Sequence, residues 1–189
     1  MSRPDTTTIA VFGGSGYQPG DPVFEDARAL GETFARRGWA VANGGYGGIM
    51  RGVSQGARQA GGTVFGVTCS AFSATANPFV SDEVRTHSLY ERLERLIELG
   101  DAYLVMPGST GTLAELALVW EMVNKRMLPP RPILCWGDFW RPVVNVFSSD
   151  QTADPRLNTT GLPERRGGLI TFAHTPDTAA DTIARALAG

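Results

Sequence analysis

The segment Ile-Ala-Val-Phe-Gly-Gly-Ser-Gly, residues 9–16, decides the fold class. A run of four apolar residues is typical of a buried strand, and the glycines that follow it form a tight turn. Asp21 and Pro22 then begin a helix, because proline is favoured at the first helical position. Apolar residues recur at helical spacing from Phe24 to Ala35, so the turn leads into an amphipathic helix.

The same order of strand, turn and helix recurs along the rest of the chain. The pattern predicts further strands at residues 39–42, 63–68, 83–86, 102–106, 132–136 and 169–172, and helices at 49–60, 88–99, 112–126, 139–147 and from 175 onward. Residues 69–82 and 150–167 are predicted loops. We therefore predict an α/β fold, with a single nucleotide-binding domain over residues 1–189. Its architecture is a Rossmann-like three-layer α/β/α sandwich with a mainly parallel sheet of about six or seven strands.

The composition argues against several classes of protein. The 189 residues carry a net charge of −2, whereas proteins that bind nucleic acid usually have a strong basic excess. Two cysteines and two histidines provide neither a disulfide framework nor the ligand set of a zinc site, so no metal is expected. The polar N-terminus and the short first apolar run do not resemble a signal peptide or a membrane span. We expect a cytoplasmic protein that binds neither nucleic acid nor membrane.

Three glycine-rich turns follow predicted strands, at residues 13–16, 43–48 and 107–111. Ligands of open parallel sheets bind beyond the carboxyl ends of the strands, where these turns are expected to meet. Turns of this kind present backbone N–H groups and helix N-termini to an anion. The pattern favours a phosphate ligand; the alternative is that the glycines only permit tight turns.

The familiar cofactor motifs do not fit this sequence. It contains no Gly-Lys-Ser or Gly-Lys-Thr of a P-loop, and the turn Gly14-Ser15-Gly16 lacks the third glycine of the dinucleotide fingerprint. Pyridoxal phosphate needs a lysine, and the only one, Lys125, lies at a predicted helix end. The Gly-x-Ser-x-Gly pattern at residues 52–56 falls inside a predicted helix, which indicates helix packing rather than a nucleophile turn. No cofactor is expected.

Glu115 and Arg92 are the candidate catalytic side chains. Glu115 follows the third glycine-rich turn within the spacing Thr112-x-x-Glu115, which is also that of a capping box. Arg92 flanks the apolar stripe of the helix that the capping box Ser88-x-x-Glu91 opens. The alternative for Arg92 is an arginine that faces solvent.

The predicted helix at residues 112–126 is apolar on nearly all sides, which is typical of a helix that is buried all round. A helix that covers one face of a sheet should itself meet water on its outer side. We therefore predict that a second subunit covers this helix, most simply in a two-fold homodimer. The alternative is that the loop at residues 150–167 folds over it.

The glycine-rich turns resemble those of the LONELY GUY family, long mislabelled as lysine decarboxylases. The family's signatures are Gly-Gly-Gly-x-x-Gly-Leu-Met and Pro-Gly-Gly-x-Gly-Thr-x-x-Glu. Here residues 43–50 read Asn-Gly-Gly-Tyr-Gly-Gly-Ile-Met and residues 107–115 read Pro-Gly-Ser-Thr-Gly-Thr-Leu-Ala-Glu. Residues 11–15 also resemble the family's first strand and turn, and the resemblance extends from about residue 9 to residue 136.

The resemblance implies a hydrolase that splits the N-glycosidic bond of cytokinin riboside monophosphates, and often of AMP, into free base and ribose 5-phosphate. It implies that Glu115 and Arg92 act together in this cleavage, in a dimer whose site lies near the subunit interface. The residues expected to bind the substrate and its phosphate are Gly14, Ser15, Gly44, Gly45, Gly48, Met50, Gly108, Ser109, Thr110, Gly111 and Thr112.

The sequence departs from the family pattern at four positions. Asn43 and Ser109 each replace a glycine, Arg51 stands where a glycine often follows, and Cys69 lies where a proline is usual. Related Rossmann-like proteins, including molybdenum-cofactor carriers, bind ligands without hydrolysing them. A non-catalytic nucleotide or molybdenum-cofactor carrier is therefore the alternative function, and the sequence does not name the base.

Overall fold

Strands and helices alternate through the computed structural model, which describes residues 6–148 and 169–189. The elements in chain order are β1 (Thr8–Phe12), α1 (Pro22–Arg36), β2 (Ala40–Asn43), α2 (Ile49–Gln59), β3 (Val64–Cys69), β4 (Asp82–Thr86), α3 (Leu89–Leu99), β5 (Ala102–Val105), α4 (Thr110–Asn124), β6 (Ile133–Trp136), α5 (Arg141–Ser148), β7 (Ile170–Ala173) and α6 (Pro176–Ala188). The predicted loop at residues 150–167, and the alternative that it covers the helix behind the third turn, lie outside the described residues.

The strands form one parallel sheet of seven in the order β4-β3-β2-β1-β5-β6-β7. From β1 the chain winds outward to β4, then returns to the other side of β1 and winds outward again from β5. The strand order therefore reverses between β1 and β5, and ligands of such sheets bind at this point, beyond the strand carboxyl ends. The predicted Rossmann-like α/β fold is confirmed.

In the part of the chain that the structure describes, three helices cover each face of the sheet. Because side chains alternate along a strand, Ile9 and Val11 of β1 pack with α1, α2 and α6, whereas Ala10 and Phe12 pack with α3, α4 and α5. Every residue of β1 is buried, which explains the uninterrupted apolar run in its sequence. The predicted three layers are thus observed.

Two local predictions can be compared with the structure directly. The Gly-x-Ser-x-Gly pattern at residues 52–56 lies inside α2, and its buried Ser54 hydroxyl donates to the carbonyl of Met50, so it is not a nucleophile turn. Ser88 caps α3 as predicted, by accepting from the N–H of Glu91. The Glu91 carboxylate, however, accepts from the N–H of His87 rather than from that of Ser88.

None of the helices in the described part of the chain is both long enough and apolar enough to cross a membrane.

Candidate active site

The three glycine-rich turns meet where the strand order reverses. The N–H of Gly14 donates to the carbonyl of Pro107 over 3.0 Å, which links the turn after β1 to the turn after β5. The carbonyl of Gly14 accepts from the N–H of Ile49, also over 3.0 Å, which links it to the start of α2. The expectation that the carboxyl ends of neighbouring parallel strands bring these turns together is confirmed.

The N-terminus of α4 is open at this junction. The helix begins at Thr110, two residues earlier than predicted, and the Ser109 side chain at its N-cap makes no capping hydrogen bond. Ser109, Thr110 and Gly111 are exposed, whereas Thr112 is buried with its hydroxyl towards Gly108. The first N–H groups of a helix have no partner within the helix and carry partial positive charge, so they are suited to an anion.

Two of the predicted phosphate-binding glycines use their amides inside the protein. Gly14 donates to Pro107, and the N–H of Gly45 donates to the side-chain oxygen of Asn43 over 2.8 Å. These two amides are therefore not free to hold a phosphate. Ser15 of the first turn, by contrast, is exposed.

At two further positions of the second turn, close contacts leave room only for glycine. A Cβ on Gly44 would lie 1.7 Å from Nη2 of Arg92 and 2.8 Å from the sulfur of the buried Met50. Gly48 has a positive φ of 62°, and a Cβ there would lie 2.3 Å from the carbonyl oxygen of Gly14. A side chain at either position would displace the arginine or separate the turns.

Arg92 is buried, so the alternative of a solvent-facing arginine is wrong. It lies in the first turn of α3 with only 7% of its surface exposed, and its Nε donates to the carbonyl of Val67 on β3 over 2.9 Å. Its guanidinium carbon lies 5.7 Å from the ring centre of Tyr46 and 5.9 Å from that of Phe72. A strand carbonyl and two aromatic rings thus position the cation.

Glu115 lies opposite Arg92 and is 8% exposed. Its Oε1 is 3.6 Å from Nη1 of the arginine, within ion-pair range but beyond a hydrogen bond. The capping-box alternative is wrong, because α4 begins at Thr110 and Thr112 is already inside the helix. Burial raises the pKa of Glu115 to about 7, against the opposing effect of the Arg92 charge.

The hydrogen-bonding capacity of this pair is largely unused. Among the described residues, Nη1 and Nη2 of Arg92 donate no hydrogen bond, and neither carboxylate oxygen of Glu115 accepts one. Buried polar groups are nearly always hydrogen-bonded, because an unsatisfied one costs free energy. A polar ligand between the two side chains would supply the missing partners.

The side chain of Asn43 shapes the second turn, and only its departure from the family pattern pointed to it in the sequence. It is fully buried, accepts from Gly45 and donates through Nδ2 to the hydroxyl of Ser54 over 2.9 Å. The Ser54 hydroxyl in turn donates to the carbonyl of Met50 over 2.7 Å. This chain of bonds joins the turn to the first turn of α2.

Three other residues at the site were not predicted from the sequence. The Tyr46 hydroxyl accepts from the N–H of Cys69 and donates to its carbonyl, which holds the ring beside Arg92. The buried Asn77 donates to the carbonyls of Gly45 and Tyr46 from the loop after β3. Phe72 lies on the same loop, against Tyr46. Nothing in their spacing marks them, because all three act through contacts between distant segments.

No group of three or more histidine, cysteine, aspartate or glutamate side chains within residues 6–148 and 169–189 is arranged to hold a metal ion. Burial raises the pKa of the Cys135 thiol to about 12, so that thiol stays protonated and packs in the core.

Two curated relatives share the name cytokinin riboside 5′-monophosphate phosphoribohydrolase. The protein of Mycobacterium marinum is 33% identical over 146 residues, covering 72% of this chain and 75% of the relative. That of Rhodococcoides fascians is 28% identical over 153 residues, covering 78% and 77%. The resemblance predicted from the two turn signatures is confirmed.

Solved structures share the fold over nearly the whole chain. A structural-genomics target solved by X-ray crystallography superposes with a TM-score of 0.73 at 26% identity, covering 95% of this chain and 99% of its own. The molybdenum cofactor carrier protein of Chlamydomonas reinhardtii superposes with a TM-score of 0.72 at 21% identity, covering 97% and 99%. At that identity the second likeness concerns the fold alone.

The matching family model spans residues 6–128, which include the three glycine-rich turns, Arg92 and Glu115. This protein therefore belongs to the SLOG cluster4 family.

Proposed function

We propose that this protein hydrolyses the N-glycosidic bond of a nucleoside 5′-monophosphate, AMP or a cytokinin riboside monophosphate, to free base and ribose 5-phosphate. The observation that carries the proposal is the buried Arg92–Glu115 pair, whose hydrogen-bonding groups are unfilled beside the open N-terminus of α4. Two relatives that align over more than two thirds of the chain carry the name of this activity.

The phosphate would bind at the start of α4. Ser109, Thr110 and Gly111 are exposed there, and no acidic residue lies in the first helical turn to compete for the amides. The helix dipole adds partial positive charge at the same point. Glu115 lies about one helical turn further along α4. The ribose of a nucleotide whose phosphate binds at the start of α4 would therefore lie near the Glu115 carboxylate.

Glu115 would act at C1′ of the ribose. When the C1′–N bond breaks, its electron pair leaves with the base, and positive charge develops on the sugar. A carboxylate at that point stabilises the charge, attacks C1′ or orients the water that adds there. Water supplies hydroxide to C1′ and a proton to the base. A pKa of about 7 allows Glu115 to hold either protonation state near neutral pH.

Many glycosidases use two carboxylates, but here Arg92, which keeps its proton and can only donate hydrogen bonds, would help in a different way. Glu115 is the only buried carboxylate among the residues that the structure describes. The free guanidinium N–H groups of Arg92 could donate to the ribose, to the phosphate or to the base as it gains negative charge. In each case Arg92 would stabilise developing negative charge, and Glu115 would stabilise developing positive charge.

A binding protein without turnover, such as a nucleotide or molybdenum-cofactor carrier, is the second candidate. The observation that favours it is that the N–H of Gly45, in a turn expected to hold phosphate, donates instead to Asn43. A carrier of molybdenum cofactor shares the fold. The unfilled Arg92–Glu115 pair favours the hydrolase.

The proposed assembly is a homodimer through α4. Within one subunit this helix leaves Leu113 and Leu118 exposed, and the neighbouring α3 exposes Leu89 and Tyr90. A groove between the two helices is lined mostly by apolar residues, including Leu93 and Met122, with Glu94 and Glu98 also in its walls. Exposed apolar patches of this kind are typical of contact surfaces, and a second copy would cover both helices.

The test of the proposed reaction is incubation of the purified protein with AMP, other nucleoside monophosphates and isopentenyladenosine monophosphate. Chromatography would follow free base and ribose 5-phosphate. We expect equal amounts of the two products and a ranking of substrates by base. If every nucleotide remains intact while one of them stays bound to the protein, the carrier function replaces the hydrolase.

A further inference from the structure

Phe72 is a large apolar side chain left half-exposed beside the catalytic pair. It is 42% exposed, and its ring centre lies 5.9 Å from the guanidinium carbon of Arg92. Its other neighbour is the ring of Tyr46, which it meets edge-on at a centroid distance of 5.9 Å and an angle of 74°. Part of the Phe72 ring surface is therefore left accessible by the described residues, beside the Arg92 guanidinium and the Tyr46 ring.

The loop that carries Phe72 is held in place on both sides of it. The N–H of Phe72 donates to the carbonyl of Cys69 over 3.0 Å. Further along, the backbone N–H of Asn77 donates to the carbonyl of Gly45 over 2.7 Å, and its side chain reaches the carbonyls of Gly45 and Tyr46. A rigid, exposed aromatic ring loses little conformational entropy when a ligand packs on it.

We propose that Phe72 is the platform on which the nucleobase of the substrate stacks. This inference rests on the proposed function, because a base joined to C1′ beside Arg92 and Glu115 lies within reach of the Phe72 ring. Every base has a π-face, and the two fused rings of a purine cover more of a phenyl ring than the single ring of a pyrimidine does.

The test compares nucleotide binding with binding of the same phosphosugar without a base. Phe72→Leu keeps an apolar side chain and removes the flat face. In a Glu115→Gln background, where turnover should be about 100- to 1,000-fold slower, calorimetry would measure the Kd of AMP, CMP and ribose 5-phosphate. We expect Phe72→Leu to weaken AMP binding by about 10- to 100-fold, the usual range for loss of one stacked base. CMP binding should weaken less, and ribose 5-phosphate binding should not change.

Two further variants control for loss of structure. Phe72→Tyr keeps the ring and should keep the affinity for AMP. Phe139→Leu is the matched control, because Phe139 is also half-exposed, at 52%, and meets Trp140 edge-on at 5.0 Å and 80°. Its ring contact is with Trp140 and not with Arg92 or Tyr46, and its replacement should leave all three affinities unchanged.

The outcomes separate this inference from the proposed reaction. Unchanged AMP binding in Phe72→Leu, or an equal loss for AMP and ribose 5-phosphate, would overturn the stacking role while leaving the hydrolase intact. AMP binding that depends on Phe72, together with no release of base by the protein that retains Glu115, would overturn the hydrolase and keep the platform. If the protein with Phe72 intact binds neither AMP nor ribose 5-phosphate, the stacking role and the proposed hydrolase are both overturned.

Discussion

Arg92 and Glu115 face each other with 3.6 Å between Nη1 and Oε1, although both residues are more than nine-tenths buried. Buried opposite charges usually close to hydrogen-bonding distance, because desolvation is costly unless the pair is well bonded. Here the Nε bond to the carbonyl of Val67 holds the arginine to the sheet, and α4 holds the glutamate. Among the described residues, the Nη groups of Arg92 and the carboxylate oxygens of Glu115 therefore make no hydrogen bond, as the proposed role in binding a ligand requires.

Glu115→Gln should abolish most turnover while keeping the nucleotide bound. The amide has nearly the shape of the carboxylate but no negative charge to oppose the cation that develops at C1′. Loss of one electrostatic stabiliser of this kind typically lowers kcat by about 100- to 1,000-fold. Release of free base from AMP would measure kcat, and calorimetry would measure binding.

Glu121→Gln is the control for that variant, because Glu121 lies on the same helix but is exposed and pairs with Lys125. Its activity should match that of the unmodified protein. Normal turnover in Glu115→Gln would remove Glu115 from the catalytic machinery and with it the main support for the proposed reaction.

The same carboxylate should make stability depend on pH. Burial raises the folded pKa of Glu115 to about 7 from an ordinary value of 4.5. Between those values the unfolded chain releases a proton that the folded protein retains, so the free energy of unfolding falls as pH rises. This loss of unfolding free energy is absent below about pH 4.5 and complete above about pH 7, where it is on the order of 3 kcal/mol.

Urea unfolding at pH 5, 6, 7 and 8 would measure this dependence in the protein and in Glu115→Gln. Glutamine does not titrate, so the variant should gain stability relative to the unmodified protein as pH rises to about 7. If the free energy of unfolding varies with pH in the same way in both proteins, Glu115 has an ordinary pKa in the folded state.

The parallel sheet and the meeting of its three turns could be predicted because both follow from local patterns. Buried strands read as apolar runs, and their carboxyl ends must share one edge of the sheet. The burial of Arg92 could not be predicted, because it depends on a carbonyl of β3 and on rings from two loops. The start of α4 was misplaced because Thr112-x-x-Glu115 has the spacing of a capping box while Ser109 is the actual N-cap.

Asn43→Ala should destabilise the protein although Asn43 lies outside the Arg92–Glu115 pair. The change removes the acceptor of the Gly45 N–H and the donor to Ser54, and leaves both partners buried. Leaving buried polar groups unsatisfied costs about 1–3 kcal/mol. Denaturant unfolding would measure the loss.

Asn145→Ala is the matched control, because Asn145 is exposed on α5. Exposed substitutions usually change stability by less than about 0.5 kcal/mol. Equal stability of the two alanine variants would mean that the bonds of Asn43 to Gly45 and Ser54 contribute nothing to the second turn.

Leu118→Glu should convert the proposed dimer into monomers. Leu118 is 38% exposed on the outer face of α4, beside the apolar groove that α4 forms with α3. A carboxylate there would be buried without a partner at a two-fold contact, and the symmetry would place a second one in the same interface. Light scattering after gel filtration would measure the mass. Leu187→Glu is the control, because Leu187 is equally exposed but lies on α6, and this variant should remain dimeric. A dimeric Leu118→Glu variant, or a monomeric unmodified protein, would rule out assembly through α4.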